Sequence, residues 1–235
     1  MSQTKSKNHV QSAELPAWLL LLIGGLLVAI GAVAGIIIAR QLVPSPEAAA
    51  PGVAFVQEDG FIGVEVIDPP RAMPDFTLTT HQNGSLSLSE LRGQPTLMFY
   101  GFTHCPDICP LTLLEMQTIR EALGDDGDLV NFVFISVDGQ RDTPERLARY
   151  FELRQVDDFV IGLTGTESDV RRVGADYGVK FIYGEVDANG NYAVDHTASA
   201  FLLDADGYWI KKYAFGTEHE LIVEDLQGLL AGQES

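Results

Sequence analysis

The stretch PTLMFYGFTHCPDICPLTLLEMQTIREAL, residues 95–123, carries a strand signal, both cysteines of the chain and a helix signal in succession. Pro95 to Phe102 is a continuous apolar run of the kind that fills a buried central strand. Cys105 and Cys109 follow at once, and each is directly followed by a proline. Pro110 to Leu123 has helical character. The stretch therefore predicts a strand-to-helix unit with two thiols at the join.

Strands and helices alternate through the rest of this region. The runs FTLTT and LSL, separated by HQNGS, predict a β-hairpin, and LVNFVFISV predicts another buried strand. The segment DTPERLARYFEL predicts a helix with Asp142 or Thr143 as its N-cap. Gly178 is placed to end a further helix, and Asn189-Gly190 and Asp206-Gly207 are hairpin signals. The predicted fold class is thus an α/β sandwich of the thioredoxin type.

The N-terminal part carries a membrane-anchor signal. Residues 17–39 read AWLLLLIGGLLVAIGAVAGIIIA, which is 23 residues with no charged side chain. At about 1.5 Å per residue such a helix is roughly 35 Å long, enough to cross the hydrocarbon layer of a bilayer. A cleaved signal peptide is the alternative, but its apolar region typically has only about 7–15 residues. The sequence therefore predicts one retained transmembrane helix at 17–39, preceded by a cytoplasmic segment, residues 1–16.

Basic residues on the two sides of the anchor predict its orientation. Lys5 and Lys7 precede the apolar segment, whereas only Arg40 follows it closely. This favours an N-terminus inside the cell and a domain outside it, on the periplasmic side of a bacterial inner membrane. Gly31 and Gly35 form a G-x-x-x-G pair that allows a homodimer through close helix packing, although glycine is common in membrane helices generally.

The remainder of the chain divides into a tether and one domain. Residues 40–74 hold six prolines among alanine, glycine and acidic residues, which predicts an extended spacer. Residues 75–235 number 161, enough for one core, and are predicted to form the thioredoxin-like domain. The net charge of −18, from 15 basic and 33 acidic residues, lies mostly in this domain. Such an acidic domain predicts that nucleic acid is not a partner.

The flanking prolines and the following helix define the surroundings expected for the two thiols. A residue before a proline is pushed out of the α region, so Cys105 and Cys109 are both predicted to be extended. Pro110 suits the first helical position, which makes Cys109 the expected cap. The positive end of the helix favours the thiolate relative to a free cysteine with a pKa of about 8.5. The pair is therefore suited to soft-metal binding or to redox chemistry.

Three alternatives compete with a metal site at these cysteines. A plain disulfide would staple the loop, but a loop this short constrains little of the unfolded chain. A thioredoxin-like reductase would have one residue fewer between the cysteines, and a cis-proline where residues 194–199 read VDHTAS. A peroxiredoxin-like peroxidase would have T-x-x-C before its helix, whereas Thr103 and Cys105 are only two positions apart.

A histidine can complete a metal site with these thiols. His196 lies just before a predicted strand that would neighbour the cysteine-bearing strand in a thioredoxin fold, although a loop histidine is often only a solvated side chain. Two thiolates and one imidazole suit Cu(I) and can also hold Cu(II), whereas structural zinc asks for a fourth protein ligand. His104 is expected to point to the other side of the extended segment. The remaining histidines are left unassigned: His9, His81 and His219.

Three separated segments resemble one known family. GFTHCPDICP (residues 101–110), SVDGQRDTPERL (136–147) and VDHTASAFLLDADG (194–207) closely resemble, in this order, the Sco (SenC/PrrC) family of membrane-anchored copper chaperones. The resemblance runs from about Gly63 to the C-terminus, and the predicted anchor lies where the family has one. Gly139-Gln140 is a small departure, since many relatives have Pro-Glu there. The charged residues of the second segment are assigned no chemistry, because a capped helix start explains much of it.

The resemblance implies a thioredoxin fold and the delivery of copper to the binuclear copper centre of cytochrome c oxidase. Cys105, Cys109 and His196 match the family's copper ligands. The chain is accordingly interpreted as a copper-binding assembly factor and not as an enzyme in the strict sense, with the copper-site subunit of the oxidase as its partner. The alternative is a thiol-disulfide reductase that keeps the oxidase's copper-site cysteines reduced through a redox disulfide between Cys105 and Cys109. The bacterial inner membrane is the predicted location, and the mitochondrial inner membrane is the less favoured one.

Overall fold

The computed structural model describes residues 63–233. This part of the chain forms ten β-strands and four α-helices, besides 3₁₀ turns at Leu88–Leu91 and Gly124–Leu129. In chain order they are β1 (Val64–Ala72), β2 (Thr77–Thr80), β3 (Ser85–Ser87), β4 (Thr96–Gly101), α1 (Ile108–Leu123), β5 (Asn131–Ser136), α2 (Pro144–Arg154), β6 (Val160–Thr164), α3 (Glu167–Asp176), β7 (Phe181–Tyr183), β8 (Val194–His196), β9 (Ala200–Leu203), β10 (Tyr208–Tyr213) and α4 (His219–Gln233).

Eight of these strands form one sheet, and the other two form a small hairpin. The order in the sheet is β1-β10-β9-β4-β5-β6-β2-β3. Strands β4, β5 and β6 are parallel, because α1 and α2 provide the crossovers between them. Strand β9 pairs with β4 in the antiparallel direction, and β10 pairs with β9 in the same way. Strands β7 and β8 pair only with each other.

Strand β4 lies at the centre of the core, as its apolar sequence predicts. All six of its residues are buried. Successive side chains of a strand point to opposite faces, so β4 contributes to both layers of packing. On one face Phe99 packs against Phe134, which contacts Phe151 of α2. On the other face Tyr100 packs against Tyr177 and Phe201.

Local sequence signals determine several boundaries. The hydroxyl of Thr143 accepts a hydrogen bond from the backbone N–H of Arg146, and Pro144 occupies the first turn, so α2 begins as predicted. Gly178 follows α3 with φ of 73°, a left-handed value that glycine adopts without a steric penalty. Gly207, with φ of 85°, makes the turn between β9 and β10.

The structure corrects the predicted boundary between the tether and the domain. Strand β1 lies inside the range 40–74 that the prolines assigned to an extended tether, and it pairs with β10. It is an edge strand, and its register shifts between Val66 and Arg71, across Pro69 and Pro70. An edge strand tolerates prolines there, because one side of its backbone needs no ladder partner. The folded part therefore begins before residue 75.

The predicted membrane anchor, residues 17–39, lies outside the described residues, as does the cytoplasmic segment before it. Among residues 63–233, no helix has both the length and the apolar character needed to cross a membrane.

Candidate metal and thiol site

The two cysteines lie at the C-terminal end of the central strand β4 and differ in exposure. Cys105 is half-buried in the loop that follows the strand, whereas Cys109 is completely buried in α1. Both are free thiols. The backbone N–H of Cys109 donates a hydrogen bond to Cys105 Sγ over 3.4 Å, so the chain itself brings the two residues together.

The position of Cys109 differs from the prediction. Helix α1 begins at Ile108 with Asp107 as the N-cap, so Cys109 lies within the first helical turn and is not the cap. The expectation that Cys109 is extended is wrong, although a proline follows it. Pro110 is still in the first turn, where a backbone N–H has no intrahelical acceptor, so its ring costs no hydrogen bond. The helical turn directs the Cys109 side chain into the core.

His196, at the end of β8, lies next to the buried thiol. Its Nε2 atom lies 3.8 Å from Cys109 Sγ, and its Nδ1 atom lies 2.9 Å from the carbonyl oxygen of Thr197. With the proton on Nδ1, the ring donates to that carbonyl and Nε2 presents a lone pair to a metal ion. With the proton on Nε2, the ring instead donates a hydrogen bond to a cysteine sulfur. The rings of Phe99 and Phe102 pack edge-on against the imidazole and hold its plane. The structure thus brings together the three residues selected from the sequence.

The surroundings of the two sulfurs shift their pKa values in opposite directions. A hydrogen bond from the Cys109 side chain, with further ones from His196 and two backbone N–H groups, lowers the pKa of Cys105 to about 4 despite partial burial. Burial raises the pKa of Cys109 well above its usual value, and the neighbouring Cys105 raises it further. The helix terminus was expected to favour both thiolates. That expectation agrees with the structure for Cys105 only, because the desolvation of Cys109 outweighs it.

A cleft connects this site to solvent. It has a volume of about 260 Å³ and runs between the cysteine loop and the segment that carries His196. Phe102, Ile108, Val194 and Ala198 provide apolar walls, and Cys105 faces the same space. Cys105 is therefore the more accessible of the two sulfurs, and His196 also lines the cleft.

The other histidines have different partners. His104 Nε2 lies 2.8 Å from the guanidinium of Arg146, and burial together with Arg146 lowers its pKa. His81 Nδ1 accepts a hydrogen bond from the backbone N–H of Gly162, and His219 lies 3.4 Å from a carboxylate oxygen of Glu220. His9 lies outside the described residues.

A buried carboxylate supports the cysteine loop, and sequence reasoning assigned it no chemistry. Asp142 is fully buried and accepts hydrogen bonds from the backbone N–H of Thr103 at 2.9 Å and from its hydroxyl at 2.6 Å. It also accepts one from the hydroxyl of Ser136 at 2.7 Å. Two aspartates flanking an arginine directly after a buried strand, in VDGQRD, were the signal that could have identified it. Asp142 thereby holds the backbone two residues before Cys105.

His104, Asp138 and Asp142 bring potential metal-binding atoms within 4.8 Å of one another. Both carboxylates already accept hydrogen bonds from protein donors, Asp142 from Thr103 and Ser136, and Asp138 from an arginine and a tyrosine. This arrangement is a hydrogen-bonded network and not an open coordination site.

The fold and site together define a class of protein. A thioredoxin-like sheet carries a thiol pair at the end of its central strand, and an imidazole approaches that pair from a neighbouring hairpin. Proteins of this class bind soft metals or exchange disulfides. A family model described as SCO1/SenC matches residues 65–231, and the chain belongs to that family.

Individual relatives include bacterial and mitochondrial proteins. The mitochondrial protein SCO2 homolog of Mus musculus is 36% identical over 163 residues, which cover 68% of this chain and 63% of the mouse protein. The SCO2-like protein of Rickettsia felis is 36% identical over 157 residues, or 66% of this chain and 75% of that protein. The chain thus spans about three fifths of the length of the mouse, bovine and human relatives that it matches.

Solved structures of Sco proteins share this fold. The copper-bound structure of Bradyrhizobium japonicum ScoI is 35% identical, with a TM-score of 0.61, and the match covers 67% of this chain and 99% of that one. A structure of BsSco with a disulfide switch, described as a member of the Sco family of cytochrome c oxidase assembly proteins, is 23% identical with a TM-score of 0.57. The match covers 70% of this chain and 97% of that one, and it supports the fold alone. The predicted thioredoxin-like fold of the domain is confirmed.

Proposed function

We propose that this chain is a membrane-anchored copper-binding protein that delivers copper to the binuclear copper centre of cytochrome c oxidase. Its copper ligands are Cys105, Cys109 and His196. The observation that carries the proposal is the convergence of His196 Nε2 on Cys109 Sγ at 3.8 Å, beside a second sulfur. Two thiolates and one imidazole prefer copper over harder divalent cations. Membership of the SCO1/SenC family and the copper-bound relatives support the same metal.

The different exposure of the ligands supports delivery in preference to permanent storage. Cys109 and His196 are buried, whereas Cys105 is half-exposed and faces the cleft. A soft ligand of a partner protein therefore meets copper on the Cys105 side first. Ligand exchange then proceeds from the exposed sulfur inward, and the metal is never released into water.

The partner and the location follow from the family and from the N-terminal sequence. The partner is the copper-site subunit of cytochrome c oxidase, and the domain faces the periplasm of a bacterium. Residues 17–39 hold it at the membrane in which the oxidase resides, and residues 1–16 remain in the cytoplasm. Tethering of this kind raises the effective concentration of the two proteins for each other.

A reductase role is the second candidate, and the low pKa of Cys105 favours it. The Cys105 thiolate attacks a disulfide in the oxidase subunit, forms a mixed disulfide and releases one partner thiolate. Cys109 then attacks the Cys105 sulfur, which releases the second partner thiolate and leaves a Cys105–Cys109 disulfide. Two electrons pass from this chain to the partner. Copper binding needs both cysteines reduced, so the two roles exclude each other within one encounter.

Oxidase activity in cells that carry only the His196→Ala variant distinguishes the two roles. The imidazole has no required part in thiolate attack, so this variant retains disulfide exchange but loses a copper ligand. We expect oxidase activity to be lost at limiting copper and partly restored by added copper.

We also expect the purified full-length protein to bind one copper per chain, with weaker binding after Cys105→Ser, Cys109→Ser or His196→Ala.

His81→Ala is the matched control, since that histidine is buried but bonded to Gly162. It should leave copper binding and oxidase activity unchanged, provided that the variant folds. Near-normal oxidase activity of His196→Ala cells at limiting copper would overturn the chaperone role in favour of the reductase.

A further inference from the structure

The loop that follows β5 contacts the hairpin that carries His196. Arg141, in this loop, donates a hydrogen bond from Nη1 to the carbonyl oxygen of Tyr192 at 2.9 Å. The Arg141 guanidinium also stacks over the Tyr192 ring, 3.6 Å from its centroid. Tyr192 precedes β8, and His196 ends that strand. Arg141 thus attaches this loop to Tyr192, four positions before His196.

Asp138 bonds to both Arg141 and Tyr192, so the three side chains contact one another in a closed set. One oxygen of its carboxylate accepts a hydrogen bond from Arg141 Nε at 2.5 Å, and the other accepts one from the Tyr192 hydroxyl at 2.7 Å. The side chain of Asp138 is fully buried, and that of Arg141 is only 16% exposed. We call Asp138, Arg141 and Tyr192 the clamp. Both carboxylate oxygens of Asp138 are paired, and Arg141 is paired through Nε and Nη1. Opening this buried pair is costly, because each group would lose its partner without regaining water.

The clamp attaches the hairpin of β7 and β8, which does not pair with the main sheet, to the loop after β5. Strands β7 and β8 pair only with each other within the described residues, so no ladder ties them to the eight-stranded sheet. After His196 the chain soon enters β9, which pairs with β4. Before His196, the clamp attaches the chain directly. Strand β7 has attachments of its own, since Tyr183 donates a hydrogen bond to the carbonyl oxygen of Val137 and Arg171 donates one to that of Phe181. His196 is thereby held from both directions along the chain.

The same loop also fixes the cysteines. Asp142 binds the backbone and the hydroxyl of Thr103, two residues before Cys105. Residues 138–142 therefore contact both halves of the site, the cysteine loop through Asp142 and the hairpin through Asp138 and Arg141.

We infer that the clamp is a positioning device that sets the distance between His196 Nε2 and Cys109 Sγ. The inference rests on the proposed function in that His196 is a proposed copper ligand. Asp138, Arg141 and Tyr192 touch no copper themselves and act through His196. Weakening the clamp should lower copper affinity only when His196 is present to be positioned.

Tyr192→Phe is the mildest test, because it removes the hydroxyl and keeps the ring under Arg141. In the full-length protein we expect copper affinity to fall by about tenfold, the lower end for the loss of a hydrogen bond to a charged group. In a His196→Ala background the same substitution should change affinity by less than about twofold, because the clamp acts through the imidazole and the two substitutions are therefore coupled, not additive. Arg141→Lys is the second variant, since lysine keeps the charge but loses the planar stacking and the fork of donors.

Arg120→Lys is the matched control. Arg120 also pairs with an aspartate, Asp128, and lies over an aromatic ring, Phe159, but it is not part of the clamp or of the copper site. It should leave copper affinity unchanged. Spectra of the Cu(II) form give a second readout, since the nitrogen coupling from the His196 imidazole should weaken in the clamp variants and not in the control.

A measurement without copper separates this inference from the proposed function. In the metal-free protein, Tyr192→Phe should speed amide hydrogen exchange in β8. It should also weaken the nuclear Overhauser effect between the protons of the His196 ring and those of the Cys109 side chain. If wild type binds no copper but Tyr192→Phe shows these two changes relative to it, the copper function fails and the clamp stands. Equal copper loss with and without His196, or unchanged exchange and contact in both clamp variants, would overturn the clamp.

Discussion

The sulfur atoms of Cys105 and Cys109 have different surroundings, although only three residues separate them in the sequence. Cys105 accepts hydrogen bonds at the half-exposed end of the site, and Cys109 points into the core beside His196. Hydrogen-bond donors stabilise a thiolate, whereas burial destabilises one. The spacing and the prolines predicted a reactive pair. They could not predict which sulfur carries the charge, since that depends on how deeply the fold buries Cys109 and on the hydrogen bonds around Cys105.

At the residue scale we predict that Cys105 remains nucleophilic to low pH. Its folded pKa of about 4 lies far below the value of about 8.5 for a free cysteine, so the thiolate persists as the pH falls and is lost only as it passes about 4. The rate of alkylation by iodoacetamide, followed by mass spectrometry, should stay nearly constant from about pH 8 to about pH 5.

The urea-unfolded chain is the control for this experiment, because its cysteines titrate near about 8.5 and their alkylation should slow steadily below that pH. Cys109, whose pKa is raised, should remain unmodified in the folded protein. Parallel pH profiles for the folded and unfolded chains would contradict the assignment of the thiolate to Cys105.

At the element scale, the junction between β4 and α1 brings the thiols into the core. Gly101 ends β4, and a Cβ atom built there would lie 2.9 Å from Cys109 Sγ. It would also lie 2.7 Å from the Phe99 ring and 2.8 Å from the Phe134 ring. Only a residue without a side chain lets the buried sulfur pack against the strand end. The sequence predicted both elements, but this close approach became visible only once α1 was seated on the sheet.

Gly101→Ala should therefore destabilise the protein by about 1–3 kcal/mol, the usual cost of overpacking a core. The measurement is urea unfolding of the full-length protein in detergent, with the thiols kept reduced. Gly228→Ala in α4 is the control, because a Cβ atom there meets nothing within 4 Å. That change should be neutral or stabilising, since alanine favours helix over glycine by up to about 1 kcal/mol. Equal stability of the two variants would show that the site tolerates a displaced Cys109.

At the scale of the whole molecule, an acidic domain follows a predicted membrane anchor. The chain has a net charge of −18, and its apolar segment at 17–39 carries no charge. Strand β1 already belongs to the sheet, so the folded part begins before residue 75 and the predicted tether is shorter than the prolines suggested. Lys5 and Lys7 on the N-terminal side of the anchor predict that the domain lies outside the cytoplasm.

A protease added to spheroplasts should accordingly remove the domain and leave a short anchor fragment. The readout is an immunoblot with one antibody against the N-terminus and another against the domain. A cytoplasmic marker protein that stays intact shows that the spheroplasts are sealed, and detergent should expose the marker as well. A domain that survives in sealed spheroplasts would contradict the orientation.

The sequence by itself determined the features that depend on near neighbours in the chain. These include the buried strand β4, the capped start of α2, the turn at Gly207 and the thiol pair, because local backbone preference and hydrophobic patterning specify them. His196 was selected from its position before a predicted strand, and the family resemblance matched it to a copper ligand. Tertiary structure alone decided the remaining features, namely the contact of Asp142 with Thr103, 39 positions away, and that of Asp138 with Tyr192, 54 positions away. Such bonds form only after strands distant in sequence become neighbours, and burial of their charges gives them their strength.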